Sequence, residues 1–226
     1  MKSRCTDAMS VLEITATIAI IFVLAMAILP SIRQVTERSK AVTCTSNLRN
    51  IGAILLDYAR ERGSDFEVWE RGSAGTMWNT RLIVDGYVTH ASLKDLSCPN
   101  IEYASPSGSI SGRHYGVYTD GKEGRVESFT DANGNTGLVY RLNVRTHPTP
   151  SKCIFLADSV TSVGTPSIRI MRGTSIAAGG IHTRHAGRAN LFFLDGHVEA
   201  ADPQALQRLG VEAFYTEKLQ PVVVSP

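Results

Sequence analysis

A chain of 226 residues, 43% apolar and 19% charged, carries enough apolar side chain for a buried core, which excludes wholesale disorder. Its 23 basic residues against 21 acidic leave a formal charge of +2, so no broad basic face argues for nucleic acid as a partner. Collagen repeats, zinc-finger cysteine spacing and heptad arrays are absent from it as well.

The first distinctive stretch is ITATIAIIFVLAMAILPSI, residues 14–32, which contains no charged residue. As a helix rising about 1.5 Å per residue it nearly matches a hydrocarbon core of about 30 Å. Lys2 and Arg4 precede it, and Ala25, Ala27 and Ser31 imitate a signal-peptidase site. Glu13 stands at the head of the run, where a carboxylate is costly unless it is paired or lies near the interface. Pro30 lacks an N–H and disfavours an unbroken helix.

The segment MSVLEITATIAIIFVLAMAILPSIRQ resembles the N-terminus of type IV prepilins and type II secretion pseudopilins. The resemblance implies a leader, 1–8, cut between Ala8 and Met9, with Met9 then methylated. That cut makes Glu13 the fifth mature residue and Pro30 the twenty-second, both in the family's register, although Ala8 replaces the usual Gly. It further implies a transmembrane and assembly helix over 9–32, with Glu13 pairing with the terminal amine of a neighbouring subunit. The implied partners are a prepilin peptidase, other pilin or pseudopilin subunits and an inner-membrane assembly platform. The implied location is a single pass in the bacterial inner membrane, with a periplasmic or extracellular head.

Residues 33–62 continue the helical pattern, with Val42, Leu48, Ile51, Leu55, Leu56 and Ala59 on one stripe and Gly63 as the stop. Gly52 permits a close approach. The head, 63–226, begins irregularly. WNTRLIVDGYV (78–88) reads as a short helix ending near Gly86. RHYGVYT (113–119), LVYRLNV (138–144), CIFLAD (153–158) and IRIMRG (168–173) read as strands, the last suited to an edge, and 120–137 reads as a loop. ANLFFL, the Asp195-Gly196 turn and HVEA read as a hairpin. Asp202-Pro203 then opens a short helix that ends at Gly210. The expected fold class is α+β, a pilin-like long N-terminal helix packed on an antiparallel sheet head.

His185 followed by Asp195-Gly196 is similar to the H-x9-D-G motif of a prepilin-associated domain, and NLRNIG (47–52), Cys98-Pro99 and RHAGRANLFFLDGHV resemble further blocks of that family. Cys44 and Cys98 lie beside such blocks, and the resemblance makes them the first disulfide pair to expect. Cys5 falls in the leader and Cys153 reads as a buried strand thiol.

His182, His185, Asp195, His197 and Glu199 offer zinc-type ligand atoms. The plainer reading has His185 bonding the hairpin backbone and Asp195-Gly196 making the turn. Asp131, Asn133 and Asn135 have calcium-type spacing, but the glycine and distal glutamate of an EF-hand are missing. No cofactor is therefore expected, with calcium or zinc as the alternative. No GxSxG elbow or HExxH helix is present, and the chain is read as not an enzyme. The expected function is a subunit, major or minor, of a type II secretion pseudopilus or type IV pilus-like filament. The alternative is a membrane-anchored periplasmic or surface ligand-binding protein that does not polymerise, with Trp69, Trp78 and Tyr103 as groove candidates.

Overall fold

The computed structural model describes residues 11–63, 65–71, 77–100, 115–118, 125–130, 134, 136–171 and 173–224. Ala8, Met9, Cys5, Tyr103, Asp131, Asn133 and Asn135 lie outside the described residues, as do the side chains of Pro30 and Trp69. The chain divides into two units, Met1–Ser39 and Lys40–Pro226.

The helix α1 runs Val11–Glu61. In the first unit its Ile18, Ile21, Phe22, Val23 and Met26 are exposed, as is Glu13. Among the described residues no helix is long and apolar enough to cross a membrane, and this overturns the expected single-pass inner-membrane placement.

In the second unit, α1 buries Cys44, Leu48, Ile51 and Leu55, spaced four, three and four residues apart along one face. Val42 is out of phase with that face and is 70% exposed, a correction to the expected stripe. Glycine at 52 is required sterically, since a Cβ there would lie 2.5 Å from the Phe192 ring. The helix closes at Gly63, whose φ of +80° is the left-handed stop that glycine adopts without penalty.

Strand β1 (Asp65–Arg71), helices α2 (Trp78–Val84) and α3 (His90–Asp95), and strands β2 (Gly116–Tyr118), β3 (Arg125–Thr130) and β4 (Thr136–Asn143) follow. Then come β5 (Ile154–Ala157), β6 (Ser159–Val160), β7 (Arg169–Ile170), β8 (Gly180–His182), β9 (Ala189–Phe193), β10 (Val198–Ala201), α4 (Pro203–Arg208), β11 (Ala213–Tyr215) and β12 (Pro221–Val223). Both β1 and β3 fall in segments read as irregular from the sequence.

Among the described residues the strands form three sheets, in the orders β1-β4-β3, β10-β9-β5-β2-β7 and β12-β11-β8-β6. The class is α+β, but the expected pilin-like arrangement on one antiparallel sheet is corrected. Three sheets are present, two of them contain a parallel pair (β2 with β7, and β11 with β8), and only the part of α1 from Lys40 onward belongs to the compact unit.

The central sheet is covered on both faces. Along β9 the side chains alternate, with Phe192 packing in the cluster of α1, Trp78 and Leu82 while Leu191 and Phe193 join Ile181, Leu206 and Phe214. A strand apolar on both faces reads as an unbroken run, which is why ANLFFL carries no polar alternation after Asn190. Trp78 lies in this core, and its Nε1–H donates to the Ile168 carbonyl at 3.0 Å, so it is no groove residue.

Candidate metal centre

Four elements converge where α1 meets the edge of the two larger sheets. Cys44 comes from the buried face of α1 and is disulfide-bonded to Cys98. Cys98 follows α3, and Asn47 on α1 holds that segment by donating from Nδ2 to the carbonyls of Asp95 (3.2 Å) and Ser97 (2.9 Å). Asp158 is the single residue between β5 of the central sheet and β6 of the smaller one. Its N–H donates to the Asn190 carbonyl at 3.0 Å and its carbonyl accepts from the His182 N–H at 2.9 Å, so both sheets fix it. His185 opens a two-residue turn closed by reciprocal backbone bonds with Arg188. Ala186 and Gly187, both at positive φ, make it a type I′ hairpin turn.

The Asp158 carboxylate is fully buried. Its Oδ2 accepts from the Asn190 N–H at 2.8 Å and lies 3.3 Å from His185 Nε2. Its Oδ1 lies 3.8 Å from Arg184 Nε and 3.8 Å from Cys44 Sγ. Burial works against the charged form, but the His185 hydrogen bond, the Arg184 charge and the Asn190 N–H together outweigh it and hold the carboxyl below its usual range. Arg184 is itself buried and also bonds the Ser159 carbonyl. His185 Nε2 stands 3.6 Å from Cys98 Sγ, and its Nδ1 stands 3.3 Å from Asn100 Nδ2. Nε2 thus faces the Asp158 carboxylate and Nδ1 faces the Asn100 side-chain amide. Tyr115 Oη donates to the Cys44 carbonyl at 2.8 Å and lies 3.3 Å from its sulfur.

Ligand atoms of Cys44, Cys98, Asp158 and His185, all buried, lie within 4.8 Å of one another, so the cluster could hold a metal ion. Bonds of about 2.0–2.3 Å at tetrahedral angles set neighbouring ligand atoms about 3.3–3.8 Å apart. Three contacts fall in that range, His185 Nε2 to Cys98 Sγ at 3.6 Å, His185 Nε2 to Asp158 Oδ2 at 3.3 Å and Cys44 Sγ to Asp158 Oδ1 at 3.8 Å, the last two through different carboxylate oxygens. The disulfide departs from a metal shell, because a metal takes thiolates and the two sulfurs are bonded to each other.

Among the described residues, His185 is the one metal candidate read from the sequence that is in this cluster. Its ring faces Asp158, Cys98 and Asn100 instead of the hairpin backbone, which corrects the plainer reading. His182 lies on β8 and is not a member of the cluster; burial pushes it down to about 4. His197 is stacked on Phe193 at the exposed hairpin and pairs with Asp195, which also accepts the His197 N–H at 3.1 Å. Gly196 has φ +94°, as that turn requires. Glu199 is exposed on β10, and Cys153 is buried outside the disulfide.

Asp158, Arg184, Asn100 and Tyr115 were not anticipated. The signal at Asp158 was an acid ending the apolar run CIFLA; its partners arrive from distant strands, and no local pattern names them.

No family model matches the chain, and no curated protein or solved structure matches it either. These findings overturn the expected membership among prepilin-like proteins and H-x9-D-G domains, and with it the expected filament or pseudopilus subunit. What stands in its place is a compact α+β unit with a disulfide and a buried cysteine, aspartate and histidine cluster fit for a metal.

Proposed function

We propose that the unit Lys40–Pro226 is a non-polymerising ligand-binding domain whose ligand is a divalent transition metal, taken by the dithiol form of Cys44 and Cys98 together with Asp158 and His185. The observation that carries this reading is the convergence of four buried residues with metal-type donor atoms, all within 4.8 Å of one another. Two thiolates, an imidazole and a carboxylate suit zinc better than calcium or magnesium, which favour all-oxygen shells. Four protein donors fill a tetrahedral shell and leave no open position for substrate, which favours binding over catalysis.

The neighbours suit the role. Ligation through Nε2 requires the ring proton at Nδ1, and Asn100 can turn its amide oxygen to accept it, the outer-shell bond that orients a metal-binding histidine. The Asn190 N–H on Oδ2 fixes the carboxylate while Oδ1 faces Cys44.

Full-length protein reduced with a phosphine is expected to bind one zinc per chain by native mass spectrometry. With cobalt(II) it is expected to show thiolate charge-transfer and tetrahedral d–d absorption. His185→Ala should weaken zinc by more than about tenfold. A reduced, folded protein that takes up neither metal would overturn the reading.

A further inference from the structure

We infer that this site is redox-gated: the Cys44–Cys98 disulfide and the metal are alternative occupants of one pocket, so oxidation expels the metal and reduction admits it. The inference rests on the metal-binding reading above and adds its regulation.

The same two sulfurs serve both states, but the other two donors are placed without them. Asp158 is fixed by backbone bonds to Asn190 and His182, and His185 by its reciprocal turn with Arg188. The oxidised form therefore keeps a preset Asp–His half-site and lacks only the thiolates. Charge separates the states as well. In the disulfide form, the buried Asp158 carboxylate is offset by the buried Arg184 guanidinium. Two added thiolates would leave that pocket strongly negative, and a dication restores neutrality. The reduced pocket thus favours a metal, and the oxidised pocket has no charge for it to offset.

The chemistry balances with partners of ordinary thiol class. A dithiol reductant supplies two electrons: the Cys44–Cys98 bond breaks, both sulfurs become thiols, and the reductant closes to its own disulfide. Zinc then displaces the two thiol protons as both sulfurs bind it. In reverse, a small-molecule disulfide takes two electrons and two protons to become two thiols, while the Cys44–Cys98 bond re-forms and the metal leaves. Both sulfurs are buried, so exchange requires a local opening, and it is assigned to Cys98, beside the exposed Pro99. The Tyr115 hydroxyl lies 3.3 Å from the Cys44 sulfur and would turn its one proton from the Cys44 carbonyl to the departing thiolate.

The test uses the full chain, reduced, zinc-loaded and freed of excess metal. Oxidised glutathione is added while a chromogenic chelator reports free zinc and intact mass reports the disulfide. The expected result is one zinc released for each disulfide formed, with uptake restored by reduction. Zinc binding by the oxidised form should be weaker by more than about 100-fold, beyond what loss of one outer-shell partner costs. Cys153→Ser should behave like the parent, because that thiol is outside the cluster. Zinc held equally well by the oxidised and reduced forms would overturn the gating alone. No zinc on the reduced, folded protein would overturn the metal reading and the gating with it. Loss of gated release in Cys153→Ser would show that the wrong sulfurs are assigned.

Discussion

Tyr58, near the end of α1, shows how one side chain can tie helices together and leave a pH signature. It is buried, its hydroxyl donates to Asp85 Oδ2 at 2.8 Å just beyond α2, and Arg62 reaches the same oxygen at 2.7 Å. The Arg62 guanidinium also lies 4.9 Å from the Tyr58 ring centre, a cation–π contact. Burial, then the bond to Asp85, push the phenol up to about 12. An unfolded tyrosine ionises near pH 10, so the folded form holds this proton more tightly. The stability it contributes is fully present below pH 10 and is lost as pH rises from about 10 to about 12. Alkaline unfolding followed by circular dichroism should therefore begin above about pH 10, and Tyr58→Phe should remove its share of that slope. A slope unchanged in Tyr58→Phe would contradict the assignment.

Among the elements, α1 and the β9–β10 hairpin were the most legible in the sequence. The hairpin carries local instructions: Gly196 at φ +94° turns the chain, and Asp202 caps α4 by accepting the Ala205 N–H at 2.8 Å. Such contacts need only neighbours in sequence. Strands β6, β8 and β11 are two or three residues long, and the last two share a parallel pair that only the assembled fold supplies. The metal cluster was invisible for the same reason. Cys44 and Cys98 stood out as a pair and His185 by itself, but the Asp158 between β5 and β6 joins them only once the two sheets have formed. Gly52 tests the fit of α1 on β9. Alanine would favour the isolated helix by about 1 kcal/mol. Against that, its Cβ would meet the Phe192 ring at 2.5 Å, within the buried core. Overpacking of this kind costs about 1–3 kcal/mol, so Gly52→Ala should be neutral to destabilising by up to about 2 kcal/mol in urea unfolding, although alanine is the better helix former. A clear gain in stability would show that Phe192 yields freely.

For the whole molecule, the division after Ser39 carries an energetic statement. Among the described residues every buried apolar side chain lies at Cys44 or beyond, while the exposed apolar side chains of α1 cluster between Val11 and Val42. Removing residues 1–39 should leave the thermal midpoint of the remaining unit within a few degrees of the parent, because about 1 kcal/mol moves such a midpoint by about 2–4 °C and, among the described residues, no buried apolar side chain is removed. A large fall would mean that the first unit contributes to the core. The Cys44–Cys98 bond has a topological consequence within the second unit. It closes a ring over a sequence separation of 54 residues that contains β1, α2 and α3. Inside that ring the polypeptide has two routes between its ends, one through peptide bonds and one through sulfur. A single backbone break between Cys44 and Cys98 would leave one covalent molecule, whereas the same break after reduction would leave two fragments.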